Sequence, residues 1–313
     1  MKIVFFGTPH FVIPVLDALQ KNYDVVGVVT APDSVTGRKR TLAPSPIKQY
    51  CINTLTHVPV FTSKQFNNLA IEQLDNICPD LFVIAAYGHL VPKNVLNLPK
   101  YGALNIHPSL LPKYRGPSPI QAAILHGDTE TGVTIIKMDE EIDHGPIIAQ
   151  WKFPLGNHDT FENLHTLLFQ SAAKHLQRII SSYIKREITP IPQNHARASF
   201  CGKVMKEDGF FDIDNPPSPE KLDRMIRAYY PWPTAYSKLK MKSFDNAPFS
   251  KIQRRQDKGE KLKIIKFLPE KKVQLEGGRP MSMKDFINGY PEARPLLERL
   301  FQPRADRPLD DVS

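Results

Sequence analysis

The sequence predicts an α/β fold with a mostly parallel sheet, followed by a second, smaller domain that forms a β-barrel. Up to about residue 185, short apolar segments alternate with segments of helical periodicity, which is the pattern of strands covered by helices. After about residue 234, the segments are short and alternate between apolar and polar residues, as in small antiparallel barrels. A chain of 313 residues is also long for a single domain.

The N-terminal residues have the pattern of a β-α-β unit. Residues 2–6 form an apolar strand, residues 12–19 carry apolar side chains at helical spacing, and residues 23–30 form a second apolar strand. The pattern resembles the nucleotide-binding Rossmann unit, but it has Gly7 alone where that unit carries the motif G-x-G-x-x-G. A Rossmann-like sheet without a dinucleotide cofactor is therefore expected.

The other elements follow from the helical and strand periodicities. We predict helices at residues 47–55, 63–76, 118–126 and 160–185, and strands at residues 58–61, 79–86, 103–107, 131–139 and 147–154. In the C-terminal part we predict a helix that begins at Ser218 and Pro219, strands at residues 234–242, 261–267 and 271–275, and a helix at residues 281–289. The expected organisation is an α/β domain of residues 1–189, a linker of residues 190–206, a barrel domain of residues 207–292 and a frayed tail of residues 293–313.

The cysteine content and the hydropathy argue against several classes of protein. Three widely spaced cysteines without a C-x-x-C motif argue against a disulfide framework and against a zinc site. No apolar run reaches the roughly 18 residues that span a bilayer, and the N-terminal residues lack the pattern of a secretory signal. We therefore expect a cytoplasmic protein with no metal and no membrane partner.

Basic residues are concentrated in the C-terminal part of the chain. Residues 1–190 hold 17 basic and 15 acidic residues, a net charge of +2, whereas residues 191–313 hold 24 and 17, a net charge of +7. The excess is largest in residues 221–272, where 15 basic and 5 acidic residues give +10. This asymmetry indicates a polyanionic partner, nucleic acid before a membrane, although a solvated basic face would have the same composition.

A second cluster of cations lies in the predicted loop of residues 31–46. Arg38, Lys39 and Arg40 are consecutive, and Asp33 is the nearest acidic residue. Arginine binds phosphate through two parallel N–H groups and lysine binds it as a point charge, so the cluster suits phosphate contacts. A basic surface loop without a ligand is the alternative.

The candidate site is a proline-rich segment that follows the predicted strand 103–107, together with Asp143. Asn105 and His107 lie on one face of that strand, because side chains alternate along a strand. Pro108 ends the strand, since it has no N–H to give to a neighbouring strand. Open α/β sheets place their chemistry at the carboxyl ends of strands. The alternative is that Asn105 caps a turn and that His107 is an interior histidine.

These residue types favour a direct group transfer over a covalent mechanism. Ser109 lies in the proline-rich segment and not in a G-x-S-x-G motif, so no nucleophilic serine is expected. The amide of Asn105 can donate to an oxygen that gains negative charge, and His107 with Asp143 can carry protons. The set suits attack of a substrate amine on a carbonyl carbon, which is an acyl-type transfer between two bound substrates.

Four sequence motifs resemble those of the folate-dependent formyltransferase family. They are F-G-T-P at residues 6–9, A-A-Y-G-H-L at residues 85–90, L-N-I-H-P-S-L-L-P-K-Y-R-G-P-S-P-I-Q at residues 104–121 and I-D-H-G-P at residues 142–146. The basic loop, R-A-Y-Y-P-W-P-T-A at residues 227–235 and E-G-G-R-P-M-S at residues 276–282 resemble the family members that act on tRNA. The resemblance covers about residues 1–292.

The resemblance implies a role for each candidate residue. The matched residues are Asn105, His107 and Asp143 at the catalytic centre, Ser109, Leu110, Leu111 and Pro112 in the tetrahydrofolate-binding loop, Tyr87 and Gly88 near the pterin, and Arg38, Lys39 and Arg40 in the loop that meets the acceptor end of tRNA. The second domain matches an OB-like barrel that holds the body of the tRNA, which agrees with its positive charge.

The resemblance also implies the reaction. The formyl donor is then 10-formyltetrahydrofolate, and the acceptor is the α-amino group of methionyl initiator tRNA. Asn105 is expected to polarise the formyl oxygen, and Asp143 with His107 to pass a proton from the attacking amine to the folate nitrogen. No metal is implied, and a monomer is expected.

Two other functions stay open at this point. A formyltransferase that acts on a small amine, such as a nucleotide-linked amino sugar or a purine precursor, would share the catalytic set without needing the basic loop or a basic second domain. A non-catalytic RNA-binding protein on the same fold would retain the basic face, and the intact catalytic set argues against it.

Overall fold

The computed structural model describes residues 1–36, 41–62, 66–241 and 261–301. The chain divides into two compact units, which we call the N-terminal unit and the C-terminal unit. The N-terminal unit comprises Met1–Ala123, Asp128–Asn157 and Glu162–Lys203. The C-terminal unit comprises Ile124–Gly127, His158–Phe161 and the chain from Val204 onward.

The N-terminal unit is built on a seven-stranded sheet. Its strands and a separate short hairpin are β1 (Lys2–Gly7), β2 (Asp24–Thr30), β3 (Ser34–Thr36), β4 (Thr41–Ala43), β5 (Val60–Thr62), β6 (Leu81–Ala85), β7 (Ala103–His107), β8 (Glu130–Lys137) and β9 (Ile147–Pro154). The strand order of the sheet is β5-β2-β1-β6-β7-β8-β9. Strands β5 to β7 in this order run parallel, while β8 and β9 are each antiparallel to the preceding strand. The prediction of an α/β fold with a mostly parallel sheet is confirmed.

Helices lie between and after the strands of the sheet. They are α1 (Ile13–Asn22), α2 (Pro46–Thr54), α3 (Asn68–Asn76), α4 (Lys93–Leu96), α5 (Pro119–His126) and α6 (Phe161–Ile184). Helices α1 to α4 lie between parallel strands, α5 lies between β7 and the antiparallel β8, and α6 follows β9. A parallel pair needs such a crossover, whereas the antiparallel strands β8 and β9 need only a loop. That loop contains Asp143. Along the described ranges, no helix combines the length and the apolar character that crossing a membrane requires.

The central strands are the most deeply buried part of the sheet. Ile3, Val4, Phe5 and Phe6 of β1 have no exposed surface, and the ring of Phe6 lies 4.9 Å from that of Phe82 on β6. Strands with both faces covered are continuous apolar runs, which is why the sequence indicates them clearly. Because these strands are buried, the carboxyl ends of the strands, where the candidate site lies, are rigidly supported.

The loop predicted at residues 31–46 contains the short hairpin of β3 and β4. Val35 pairs with Leu42 across this hairpin, and both side chains are largely exposed. Strands of three residues are too short to give a recognisable alternation, so the sequence did not indicate them. The predicted cluster of Arg38, Lys39 and Arg40 lies outside the described residues.

The C-terminal unit contains an antiparallel sheet with helices. Its elements are α7 (Pro219–Tyr229), β10 (Ala235–Met241), β11 (Lys261–Leu268), β12 (Lys272–Leu275), β13 (Met281–Ser282), α8 (Met283–Gly289) and α9 (Arg294–Phe301). The sheet order is β10-β11-β12-β13. Helix α7 begins as expected, because the Ser218 hydroxyl accepts from the N–H of Lys221. Residues 242–260 lie outside the described residues, so a closed barrel stays a prediction.

Side-chain caps set the start of two helices that were predicted to begin earlier. The side chain of Asn67 accepts from the N–H of Ala70, so α3 begins at residue 68 and not at 63. The hydroxyl of Ser282 accepts from the N–H of Asp285, so α8 begins at residue 283. The two residues before it, predicted as helix, pair with β12 as the short strand β13.

Two segments differ from the predicted domain boundaries. Residues 190–203, expected to be part of a linker, belong to the N-terminal unit, where Ile191 pairs with Ile147 and Gln193 is buried. Residues 294–301, expected to be part of a frayed tail, form α9, whose Leu297 and Leu300 are buried. Neither feature could be recognised from the sequence, because prolines interrupt the first segment and the second has only two turns of amphipathic pattern. Residues 302–313 are not described.

Candidate active site

Strand β7 delivers two of the predicted site residues to its carboxyl end. Asn105 and His107 lie on one face of β7, between β6 and β8. His107 is 4% exposed, and Asn105 is half-buried. Because β7 is held on both sides by strand pairing, the positions of these two side chains are fixed by the sheet and not by a loop.

The third predicted residue meets them from the loop between β8 and β9. The Oδ1 atom of Asp143 accepts from Nδ2 of Asn105 at 3.0 Å. Its Oδ2 atom lies 3.5 Å from Nδ1 of His107 and accepts from the backbone N–H of Gly116 at 2.8 Å. The structure therefore brings Asn105, His107 and Asp143 into one cluster, as the sequence analysis expected, and adds the Gly116 N–H as a fourth group.

The hydrogen bonds of His107 determine where it can carry a proton. Its Nε2 atom lies 2.9 Å from the carbonyl oxygen of Tyr114. A carbonyl oxygen only accepts, so Nε2 carries the hydrogen in every protonation state that keeps this bond. The Nδ1 atom faces Asp143, which places the imidazole and the carboxyl group where a proton can pass between them.

The orientation of the Asn105 amide follows from its partner in the same way. A carboxylate only accepts, so the group that meets Asp143 is the Nδ2 amino group and not the amide oxygen. That amino group has two hydrogens, and one bond to Asp143 leaves the other for a substrate oxygen. An amide held like this can stabilise negative charge that develops on the oxygen.

The predicted folate loop is tied to the sheet through its backbone. The hydroxyl of Thr134 donates to the carbonyl of Ser109 at 2.6 Å and accepts from the N–H of Leu111 at 3.1 Å. The side chain of Gln150 donates to the carbonyl of Leu111 and to the same hydroxyl, each at 2.9 Å. Ser109 and Leu111 are buried, and the Ser109 hydroxyl donates to the Lys113 carbonyl, so these two side chains shape the loop from inside.

The remaining loop residues face other surroundings. Leu110 lines a cavity of about 190 Å³ at the start of β8, together with polar residues that include Asp128 and Thr131. Pro112 is half-buried and follows a cis peptide bond. The structure thus places Ser109, Leu110, Leu111 and Pro112 in one rigid turn beside the cluster of Asn105, His107 and Asp143, which agrees with a loop that presents its backbone to a ligand.

The two residues predicted near the pterin follow the end of β6. Tyr87 is 2% exposed, its ring packs edge-on against Phe6, and its carbonyl accepts from the Thr8 hydroxyl. Burial raises the pKa of the Tyr87 phenol to about 12, so it stays neutral. Gly88 has a φ of 84°, a backbone conformation that favours glycine. Space is not the reason for glycine here, because a Cβ would contact nothing within 4 Å.

Four residues near the cluster were not indicated by the sequence analysis. They are Arg115, Gly116, Gln193 and His195. Gly116 has a φ of 115°, and a Cβ there would lie 2.2 Å from the carbonyl oxygen of Cys201. Gly116 lies inside the proline-rich candidate segment, so the glycine was a signal that could have been used. Gln193 and His195 gave no such signal, because they lie in the segment that was expected to be a linker.

The half-buried thiol of Cys201 is a candidate for a covalent nucleophile near the cluster. Its Sγ atom donates weakly to the carbonyl oxygens of Tyr114 and Arg115. Burial raises the pKa of the Cys201 thiol, so it is held as a neutral thiol and is a poor nucleophile. This agrees with a transfer that uses no covalent intermediate.

Two further observations concern ligand groups. In the described part of the chain, no group of three or more His, Cys, Asp or Glu side chains is arranged to hold a metal ion. Two apolar side chains are exposed in the loops beside the cluster: Leu90, after the end of β6, is 76% exposed, and Ile142, next to Asp143, is 55% exposed. Exposed apolar groups at such a position suit contact with a flat aromatic ligand.

Comparison with known proteins identifies the family. A sequence model of the family described as formyl transferase matches residues 1–180. A methionyl-tRNA formyltransferase of Marinobacter nauticus is 37% identical over 303 residues, which cover 92% of this chain and 96% of that protein. The chain belongs to the formyl transferase family. A methionyl-tRNA formyltransferase of Roseiflexus is a second relative within the family, 43% identical over 75% of this chain and 72% of that protein.

Solved structures of formyl transferases share the fold at lower sequence identity. A 4-N formyltransferase from Francisella tularensis has a TM-score of 0.60 and 19% identity, over 75% of this chain and 91% of that chain. An N-formyltransferase from Helicobacter canadensis, solved with folinic acid and dTDP-3-aminofucose, has a TM-score of 0.57 and 17% identity, over 90% of this chain and 100% of that chain. At this identity the likeness concerns the fold alone.

Proposed function

We propose that this formyl transferase moves a formyl group from 10-formyltetrahydrofolate to the α-amino group of methionyl initiator tRNA. The observation that carries the proposal is the cluster of Asn105, His107 and Asp143 at the carboxyl end of β7, in a chain that resembles methionyl-tRNA formyltransferases over 92% of its length. That likeness extends through the C-terminal unit, which a catalytic domain alone would not require.

We assign Asn105 the role of stabilising the tetrahedral intermediate. When the amine attacks the formyl carbon, the carbonyl π bond opens and the oxygen becomes negative. The second N–H of the Asn105 amide can donate to this oxygen, while the first stays bonded to Asp143. The amide is oriented before the substrate arrives, so little reorganisation is needed during the reaction.

We assign to Asp143 and His107 the transfer of the proton from the attacking amine to the folate. The new bond joins the amine nitrogen to the formyl carbon, and the bond that breaks joins this carbon to N10 of tetrahydrofolate. The amine must lose one proton and N10 must gain one, so the reaction needs a group that accepts and returns a single proton. Asp143 faces Nδ1 of His107 at 3.5 Å, and this pair can hold the proton between the two steps.

We place the folate beside the rigid turn of Ser109–Pro112 and the segment of Tyr87 and Gly88. Thr134 and Gln150 hold the backbone of the turn in place, so the turn presents a fixed surface to the ligand. The exposed side chains of Leu90 and Ile142 can cover its flat ring. The residues proposed to contact folate are Tyr87, Gly88, Ser109, Leu110, Leu111 and Pro112.

The C-terminal sheet has a face that suits RNA. On β10, Ala235, Ser237 and Leu239 are buried, so the alternate residues Tyr236, Lys238 and Lys240 lie on the opposite face. The residues of β11 that pair with these three are Lys266, Ile264 and Leu262. A face that mixes lysine with aromatic and apolar side chains can bind phosphates and stack on bases.

The remaining parts of the proposal follow from the sequence. We propose that residues 207–292 form an OB-like domain that holds the body of the tRNA, and that Arg38, Lys39 and Arg40 contact its acceptor end. Cys51, Cys78 and Cys201 are free, which suits a reducing compartment, and we propose a cytoplasmic monomer.

A comparison of acceptors tests the proposed substrate. The enzyme is given 10-formyltetrahydrofolate with methionine-charged initiator tRNA in one reaction and with a nucleotide-linked amino sugar in another. The proposal requires formyl transfer to the tRNA, with little or none to the sugar. Transfer to the sugar alone would keep the chemistry of the cluster but exclude tRNA as the substrate. Uncharged initiator tRNA is the control, because it lacks the amine.

A further inference from the structure

Gln193 is buried against the backbone of the loop that carries Asp143. It is 5% exposed. Its Nε2 atom donates to the carbonyl oxygens of Asp143 and Gly145, each at 2.8 Å. Its Oε1 atom accepts from Nε and Nη2 of Arg115, at 3.1 and 2.8 Å. Both hydrogens and the oxygen of the side-chain amide are therefore used.

The backbone segment that Gln193 holds is strained at Asp143, the residue whose carboxyl group contacts Asn105 and His107. Asp143 has a φ of 50°, in the left-handed region that non-glycine residues seldom occupy. Such a conformation costs free energy and persists where the surrounding contacts enforce it. Two residues later the loop passes close to β8, since a Cβ on Gly145 would lie 1.9 Å from the carbonyl oxygen of Lys137. The two bonds from Gln193 fix the loop between these points, and with it the direction of the Asp143 side chain.

The other end of Gln193 is connected to the donor of the same carboxyl group. Arg115 is 4% exposed and immediately precedes Gly116, whose N–H donates to Oδ2 of Asp143. The Nη2 atom of Arg115 also donates to Nδ1 of His195, and the His195 ring stacks on that of His144 at 4.1 Å. Gln193 thus joins the loop that presents Asp143 to the loop that presents its hydrogen-bond donor.

We propose that Gln193 is a positioning residue that sets the orientation of the Asp143 carboxyl group toward Asn105 and His107. The inference rests on the proposed function in one respect, namely that Asp143 takes part in the transfer. Glutamine suits the position because it must donate to two carbonyl groups and accept from a guanidinium group, and an amide side chain does both. Glutamate keeps the second function and loses the first.

The test is the variant Gln193→Glu, compared with Gln177→Glu. Gln177 is exposed on α6, so it controls for the added negative charge. In Gln193→Glu, a carboxylate faces the carbonyl oxygens of Asp143 and Gly145, and the Asp143 loop is expected to shift. We expect kcat to fall by roughly 10²-fold, with KM for each substrate changed by less than about 3-fold, because misplacement of a reacting group acts on the chemical step. Wild-type kcat in Gln193→Glu would overturn the proposal.

A double-mutant cycle separates positioning from general support of the fold. If Gln193 acts through Asp143, then Gln193→Glu should slow single-turnover transfer by less than about 3-fold when Asp143→Asn is already present. Equal losses in the two backgrounds would overturn the proposal. If Gln193→Glu does not fold, Gln193→Met is used in the same cycle, since it retains the volume and removes both hydrogen-bonding functions.

A crystal structure of the folded variant gives a readout that does not depend on activity. Asp143 should leave the left-handed region, or its carboxyl group should lose the bonds to Asn105 and Gly116. If Asp143 is unchanged in the variant, the positioning role is refuted, even where the wild-type enzyme transfers the formyl group as proposed. Conversely, a wild-type enzyme without transfer activity would refute the proposed function, while the structure of the variant would still decide the role of Gln193.

Discussion

The amide of Asn105 shows how one hydrogen bond can prepare a side chain for two tasks. Its bond to Asp143 fixes which end of the amide meets the carboxyl group and leaves one N–H for the proposed substrate, and the same bond orients the carboxyl group. A serine or an alanine at this position could not provide a second N–H. The role assigned to Asn105 therefore depends on the amide and not on the size of the side chain.

The replacement Asn105→Ala should remove the donor to the developing oxyanion. We expect kcat to fall by about 10²–10³-fold, which is the usual effect of losing one such donor. KM for the folate should change little, because the bond gains its strength in the transition state. Steady-state kinetics with both substrates varied will measure this. Asn22→Ala, at the end of α1 and exposed, is the control, and an equal loss in that variant would contradict the assignment.

His165 should make the stability of the N-terminal unit depend on pH. Burial, reinforced by His10, lowers the pKa of His165 to about 4 from its ordinary value of 6.5. The unfolded chain therefore takes up a proton below pH 6.5 that the folded chain resists. Stability should fall as the pH is lowered from 6.5 toward 4, by at most about 3 kcal/mol from this residue.

The replacement His165→Gln should flatten this part of the stability curve. Thermal unfolding between pH 4 and pH 7 is the measurement, and the difference between the two proteins cancels the contribution of the carboxyl groups. His175→Gln, on the exposed side of the same helix, should retain the wild-type slope. Parallel curves for wild type and His165→Gln would show that the buried ring does not act in this way.

The sequence indicated the chemistry of single residues better than their supports. That Asn105, His107 and Asp143 lie together could be predicted, because their types suit one reaction and because two of them share a strand face. Their role in that reaction stays a prediction. Gln193 could not, because its role comes from contacts with residues about 50 and 78 positions away in the chain. No local pattern reports contacts of this kind.

At the scale of elements, β8 shows what holds the turn of Ser109–Pro112 in place. Thr134 and Thr131 both lie on this strand, and both are buried. The Thr134 hydroxyl bonds to Ser109, Leu111 and Gln150, whereas the Thr131 hydroxyl has no hydrogen-bond partner among the described residues. Replacing threonine by valine therefore removes a hydrogen-bonded hydroxyl at residue 134 and a hydroxyl without a hydrogen bond at residue 131.

The replacement Thr134→Val should loosen the loop. It leaves the carbonyl of Ser109 and the N–H of Leu111 without this partner, and each lost bond to a buried group costs roughly 1–3 kcal/mol. We expect a lower unfolding temperature and a higher KM for the folate. Thr131→Val should be neutral or slightly stabilising, because it removes a buried hydroxyl that makes no bond. Equal effects of the two changes would refute the role of the Thr134 hydroxyl.

The elements that the sequence predicted best are those with the simplest burial. Strands β1, β2 and β6 are continuous apolar runs, and their positions were found to within two residues. The hairpin of β3 and β4 was missed, because strands of only three residues form no pattern that differs from a loop. Helix α9 was missed because the surrounding prolines and aspartates resemble a frayed terminus, while its buried leucines report tertiary packing.

At the scale of the whole molecule, the positive charge is concentrated away from the part of the sequence that holds the candidate active site. Residues 1–190, which hold the candidate active site, carry a net charge of only +2, whereas residues 221–272 carry +10. Within that segment, Lys238 and Lys240 are exposed on the same face of β10. Binding of a polyanion to such a face releases counterions and must weaken as salt is added.

The double replacement of Lys238 and Lys240 by alanine should reduce this salt dependence. If both contact phosphates, the slope of log K against log salt should fall by about 1–2, and KM for the folate should be unchanged. Titration of charged initiator tRNA at several salt concentrations measures the slope. Lys174→Ala, exposed on α6, should retain the wild-type slope. A double variant with an unchanged slope would show that this face does not meet the RNA.

Formyl transfer in a single turnover is the most direct test of the proposed mechanism. Enzyme in excess is mixed with methionine-charged initiator tRNA and with 10-formyltetrahydrofolate that carries a labelled formyl group, and N-formylmethionine is measured after release from the tRNA. The wild-type enzyme should form this product, and Asp143→Asn should slow its formation by roughly 10²-fold or more while still binding both substrates. Unlabelled methionine from the wild-type reaction, or equal rates for the two proteins, would contradict the roles assigned to Asn105, His107 and Asp143.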